Sequence, residues 1–416
     1  MNRLVRCAPF LLALSVITRL VWAFATPNGM NLVDLHVYVD GSAALLGGGL
    51  YDFTYAVETP DFPLPFTYPP FAALVFFPLH YLPFTVVGVG WQLATMAAMF
   101  VLIRLSLGLI LDLRRDQGEP TAARGTFDRT RVSMLWTALA LWTEPVRTTL
   151  DYGQVNVFLA LAAMVAIRST RWWLAGGLVG VAAGIKLTPA ITGLYFLATK
   201  QWKAAVFSAV VFAATVGISV AVLGQQATTY FTTLLGDADR IGPVGSVWNQ
   251  SLRGTMSRIA GRDVDSSAVW IVGVLVVGVL AVLAWRALRT DDRLGTLLVV
   301  QLLGLSVSPI SWSHHWVWVL PLLVWLFHGP DRHRLGTRVV ATYWLVTVVV
   351  GIPWVLSFFQ DSIWLVSRPG TLAWLGAVDM VGVVLVYGWT IRLGRERVIA
   401  RKAENRSREP DERPSR

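Results

Sequence analysis

The chain has 416 residues, of which 55% are hydrophobic and 14% charged, with a mean hydropathy of +0.57. A soluble globular chain carries about 25% charge, so that class is excluded and the composition describes an all-α polytopic membrane protein. The net charge of +10 would suggest nucleic acid in a soluble protein. Here most basic residues fall between or beyond the apolar spans, where the positive-inside rule uses them, and no nucleic-acid partner is expected.

The first apolar run, Ala8 to Ala25, follows Arg3 and Arg6 and ends in Ala23, Phe24, Ala25, the small-x-small form of a signal-cleavage site. Arg19 inside the run argues against a signal peptide, so it is read as a retained first helix with a cytoplasmic amino terminus. The single cysteine, Cys7, excludes an intrachain disulfide or a cysteine metal cluster. Residues 26–84 form a first outer loop, in which Asp34, Asp40, Asp52, Glu58 and Asp61 occur without a Lys or Arg between Val33 and Tyr68. Its segment Phe71–Leu82 holds Pro78 and is too short for the roughly 20 residues of a span, so it is expected to be a re-entrant or juxtamembrane helix.

Charge parity then predicts spans at about 85–112, 132–147, 154–167, 172–185, 189–200, 204–223, 268–286, 294–308, 316–328, 339–359 and 371–391. With the first helix this makes about 12 crossings and puts both termini in the cytoplasm. A second outer loop spans 224–267. Residues 1–395 read as one transmembrane domain, and 396–416 as a disordered basic cytoplasmic tail. No soluble-enzyme motif and no internal repeat stands in a matching context.

Polar residues at the outer span ends form one set: Arg19, Asp34, His36, Glu144, Arg147, Asp151, Tyr152, Gln154, Asn156, Lys186, Asn249, Gln250, His314 and His315. Ionisable groups at membrane depth are costly and usually face a cavity or a partner, so the set predicts a hydrated pocket for an anionic, polar substrate. Each residue alone also reads as an interfacial group reaching water. Asp34, in NLVDLHVY, is read first as a candidate general base toward a sugar hydroxyl, with the cap of a juxtamembrane helix as the alternative. Asp34, His36 and Asp40 at i, i+2, i+6 form no recognisable cation geometry. Lys186 interrupts GVAAGIKLTPAI, and Pro189 breaks the helix so that its ammonium can face the cavity. With Arg19 and Arg147 it would stabilise charge on a departing phosphate; the alternative is an ion pair with Glu144 or Asp151. His314 and His315 can donate to a phosphate oxygen or pack in the interface.

The stretches DLHVY (34–38), DFPLPFTYPPFAAL (61–74), WTEPVRTTLDYGQVN (142–156), GIKLTP (184–189), WNQSLRG (248–254) and SPISWSHHWVW (308–318) carry a resemblance. They look like the actinobacterial polyprenol-phosphate-mannose-dependent mannosyltransferases of the membrane-embedded GT-C class, over about residues 1–395. The resemblance implies a GT-C helix bundle at the plasma membrane, with its site on the periplasmic face and Asp34 as base. It implies an α-1,2 transfer with inversion from polyprenyl-phosphate-mannose to a phosphatidylinositol mannoside. Lys186, Arg19, His314, His315 and Arg147 would hold the donor phosphate. His36, Glu144, Asp151, Tyr152, Gln154, Asn156, Asn249 and Gln250 would line the sugar site. A monophosphate leaving group can be stabilised by Lys and Arg, so neither a metal nor another cofactor is expected. The rival readings are a related transferase acting on lipomannan or arabinan acceptors, and a polyprenyl-lipid transporter, which repeated halves and midplane polar groups would mark.

Overall fold

In the computed structural model, residues 3–26, 30–60, 62–116, 128–360 and 370–408 are described. Helices dominate, and two short strands, β1 (Thr54–Tyr55) and β2 (Leu64–Pro65), pair antiparallel in the first outer loop. The helices are α1 (Ala8–Ala25), α2 (Val33–Ala43), α3 (Pro70–Phe76), α4 (Phe84–Asp116), α5 (Arg129–Ala140), α6 (Glu144–Tyr152), α7 (Asn156–Arg168) and α8 (Trp172–Ile185). They continue with α9 (Thr192–Ala198), α10 (Trp202–Leu223), α11 (Leu252–Ala260), α12 (Ala268–Ala287), α13 (Arg293–Val307), α14 (Val319–His328), α15 (Leu335–Val350) and α16 (Val378–Arg408), with single helical turns between some of them.

Helix occupies each of the twelve predicted segments, but among the described residues only α1, α4, α10 and α12 are long and apolar enough to cross a membrane unaided. The bent pair α6 and α7, which meet at 118°, would make a fifth. The other segments are shorter because the chain breaks within them. The fold is therefore that of an all-helical membrane protein. The predicted span 132–147 ends at Ala140, because Pro145 opens α6 and the residues before it are extended or turned. Residues 71–82 form α3 and a 3-10 turn, Phe77–Tyr81, packed on α2.

Residues 396–408, predicted to be disordered, instead continue α16. Arg392 donates to Glu396, Glu396 also pairs with Arg334, and Arg397 pairs with Asp331, so partners offset the charge density that suggested disorder. Residues 409–416 lie outside the described residues.

Three interruptions at one end of the bundle position the site. The first is Gly153, left-handed at φ +72° between α6 and α7. A side chain there would put its Cβ 2.6 Å from Leu35 Cβ, so glycine alone lets α2 sit against the break. The amide of Leu32 donates to the Asp151 carbonyl at 2.8 Å and fixes that approach. The second is Lys186, extended at the end of α8, ahead of a 3-10 turn containing Pro189. The third is the extended stretch from Ser308 to Trp312, bridged to Asn249 of the second outer loop. Irregular backbone at such depth is tolerated where it lines a cavity or is buried in protein.

Candidate active site

The three breaks and α2 surround a cavity of about 470 Å³. Asp34 sits in the first turn of α2, and its Oδ1 accepts from the Tyr68 hydroxyl at 3.5 Å. Burial pushes the Asp34 carboxyl up to about 6; Gln154, the Lys186 charge and the Tyr68 hydroxyl oppose that rise. Such a carboxylate is ionised at neutral pH yet basic enough to take a proton. Tyr68 also receives an amide proton from Gln154 at 3.5 Å, and Gln154 Oε1 accepts from Tyr38 at 3.0 Å.

Lys186 is buried, and its Nζ lies 3.2 Å from Gln154 Oε1, 3.0 Å from Asn156 Oδ1 and 3.0 Å from His315 Nε2. The Tyr68 ring faces the same nitrogen at 5.5 Å. None of these close partners is an anion. The ammonium is therefore held directly by dipoles and a ring, while the Asp34 carboxylate acts on it only through space and leaves it open to an anionic ligand.

The backbone amide of Trp312 donates to His315 Nδ1 at 3.1 Å. A neutral His315 then carries its proton on Nε2, so its 3.0 Å approach to Lys186 Nζ sets two donors side by side rather than forming a hydrogen bond, and an oxyanion placed between them can take an N–H from each. Burial first, and the Lys186 charge second, push both His314 and His315 well below their ordinary range, which keeps the rings neutral. His314 presents a buried Nε2 that bonds no described group, while its carbonyl accepts from Asn156 at 2.8 Å.

Of the predicted set, Asp34, Tyr152, Gln154, Lys186, His314 and His315 line this cavity. Asn156 bonds Lys186 and lines an adjoining hollow of about 320 Å³, whose walls include Leu159, Ala163, Ile191 and Leu305. The others lie elsewhere. Arg19 pairs with Asp151 and reaches the Arg147 carbonyl; Arg147 stacks on Trp354 at 4.4 Å; Glu144 accepts from Ser313 at 2.8 Å. His36 pairs with Asp40 at 2.8 Å and is sandwiched by Tyr55 and Phe84. Asn249 bonds the backbone of Val244, Pro309, Ser251 and Ser311, and Gln250 bonds Val247, so both hold the second outer loop together.

Two wall residues had no assigned role in the sequence. Tyr68 stood within a motif but carried no signal separating it from the aromatic belt. Arg240 lines the cavity, donates to the Tyr51 carbonyl at 3.1 Å and follows two acids in a loop that reads as solvated.

A carboxylate, a buried lysine and aromatic walls meet in one cavity on a bundle of apolar helices, and comparison with known proteins gives the class of the chain. Residues 66–309 match Glycosyltransferase family 87, and the chain belongs to that family and is a glycosyltransferase. It is 54% identical over 389 residues, 93% of this chain and 92% of the relative, to the polyprenol-phosphate-mannose-dependent alpha-(1-2)-phosphatidylinositol pentamannoside mannosyltransferase of Mycolicibacterium smegmatis. The enzyme of the same description from Mycobacterium tuberculosis is 53% identical over 92% of this chain and 86% of its own. A polyprenol-phosphate-mannose-dependent alpha-(1-2)-phosphatidylinositol mannoside mannosyltransferase of Mycobacterium tuberculosis is 32% identical over 70% of this chain and 69% of its own. No solved structure matches the chain.

Proposed function

We propose that the protein transfers mannose from polyprenyl-phosphate-mannose, in α-1,2 linkage, to a phosphatidylinositol mannoside at the outer face of the plasma membrane. The observation that carries the reading is the placement of Asp34 and Lys186 on one cavity, with Tyr68 and Gln154 touching both sides. The acceptor's 2-hydroxyl oxygen attacks the anomeric carbon of a β-linked donor. Asp34 takes the hydroxyl proton, the bond from the anomeric carbon to the phosphate oxygen breaks, and its electron pair leaves with the phosphate. A single displacement inverts the centre and yields the α product. Lys186 and His315 stabilise the departing phosphate.

Tyr152 and Gln154 line the sugar end of the cavity, and the adjoining apolar hollow, which meets the site at His315 and Leu187, accommodates the first isoprene units. Arg19 and Arg147 act behind the wall, by holding α1 against α6. The reading includes twelve crossings, with the broken helices counted as spans, both termini cytoplasmic, and no metal in the transfer step. The test is Asp34→Asn in membranes supplied with labelled polyprenyl-phosphate-mannose. Loss of the labelled glycolipid at unchanged protein level is expected, and substantial remaining transfer would remove Asp34 as base. Thin-layer separation of the wild-type product identifies the acceptor.

A further inference from the structure

At the end of α4 remote from the cavity, arginines from three helices converge on a residue that has no side chain. Phe84, which opens α4, stacks on His36 beside the first outer loop. Gly108 lies roughly 36 Å further along the axis at the helical rise per residue. A methyl group on Gly108 would sit 2.9 Å from Arg168 Nη1 and 3.2 Å from Arg129 Nη1, so two guanidinium groups crowd one point. One turn earlier on α4, Arg104 Nη1 donates to Thr130 Oγ1 at 2.5 Å.

Among the described residues, the carboxylate facing this set is the exposed Asp112, 3.7 Å from Arg168. Asp128 is turned toward Arg131 and caps its own helix. Among the described residues, three positive charges therefore meet one negative charge. The depth is marked independently: Trp172 and Trp173, 46% and 48% exposed, follow Arg168 by one turn, and exposed tryptophans at helix ends sit at the boundary of lipid and water.

We propose that the notch over Gly108 binds the phosphodiester headgroup of an anionic phospholipid, between Arg129 and Arg168 with Arg104 beside them. Planar guanidinium forks match paired phosphate oxygens, and basic pockets between membrane helices hold anionic headgroups. Exposed Val101, one turn from Arg104 on α4, offers an apolar flank for an acyl chain, which favours a lipid over free phosphate. A lipid seated there ties together the ends of α4, α5 and α7.

The experiment uses the full chain in phosphatidylcholine discs with and without phosphatidylglycerol. Phosphatidylglycerol should raise the thermal-unfolding midpoint saturably, and the Arg129→Gln/Arg168→Gln double variant should need at least tenfold more of it for the same rise. An equal response in wild type and variant overturns the proposal, as does the same rise in phosphatidylcholine alone. Inorganic phosphate that reproduces the rise at comparable concentration would assign the notch to a free anion and overturn the lipid assignment. Should the double variant not fold, native mass spectrometry of the wild type decides: phosphatidylglycerol retained after exchange into phosphatidylcholine supports the site, and its loss overturns it.

Discussion

Two buried cations at the same end of the bundle, Lys186 and Arg19, have opposite surroundings. Lys186 is held by two amide oxygens and a ring, none of them charged, with the Asp34 carboxylate acting on it only through space, and faces the cavity. Arg19, at 1% exposure, is bonded to the Asp151 carboxylate and lies on the seam between α1 and α6. Pairing with a carboxylate satisfies a buried charge locally, whereas neutral partners leave its field to reach a ligand. The identity of the partner thus separates the proposed phosphate-binding role of Lys186 from the packing role proposed for Arg19.

Variants test that distinction, and the largest expected effect lies at the base. Asp34→Asn should lower transfer by about 10³-fold, measured as labelled product per enzyme in membranes. Lys186→Gln should lower kcat/KM by about 10²-fold with little change in unfolding temperature. Arg19→Gln should show the reverse pattern: a loss of about 3 kcal/mol in stability, because Asp151 is left half-buried and unpaired, with kcat/KM near wild type for the folded fraction. If Lys186→Gln unfolds the protein while Arg19→Gln spares stability and abolishes turnover, the distinction between the two cations is wrong.

The pH dependence sharpens the comparison further. As the proposed base, Asp34 must be ionised, and burial raises its carboxyl to about 6, while burial lowers the Lys186 ammonium to about 8; kcat/KM should therefore fall about tenfold per unit below pH 6 and fall again above about 8. Tyr68→Phe removes a donor that favours the ionised form of Asp34, and should shift the acid-side midpoint upward, with a smaller loss in rate at pH 8 than at pH 6. The smallest effect is expected at His36, outside the cavity. His36→Ala gives up a stacked contact of about 1 kcal/mol in stability, and assays at saturating substrates should show nearly unchanged turnover.

The breaks that build the site were partly legible in the sequence. Lys186 and Pro189 stand out because a charge and a missing amide donor interrupt a uniform apolar run, and the structure ends α8 at Ile185. The segment from Glu144 to Tyr152 did not read as a separate helix, because its Glu, Arg and Asp look like a turn when counted by hydropathy. Its charges are satisfied by Ser313, Trp354 and Arg19, partners far away in the chain. For the same reason Arg19 and Asp151 were visible as ionisable residues but not as a pair. The end of α16 misled in the opposite direction, since its high charge density is offset by Asp331 and Arg334, which only the fold brings within reach.

The bridge between Asn249 and Trp312 joins the second outer loop to the histidine beside the cavity. The Trp312 amide donates a hydrogen bond to His315 Nδ1, while Gln250 and Asn249 hold the neighbouring Ser311 through its carbonyl and amide. The second outer loop is therefore tied, through Ser311 and Trp312, to the amide that fixes the His315 tautomer. In the proposed mechanism, acceptor entry and the grip on the donor phosphate would then share a single peptide unit.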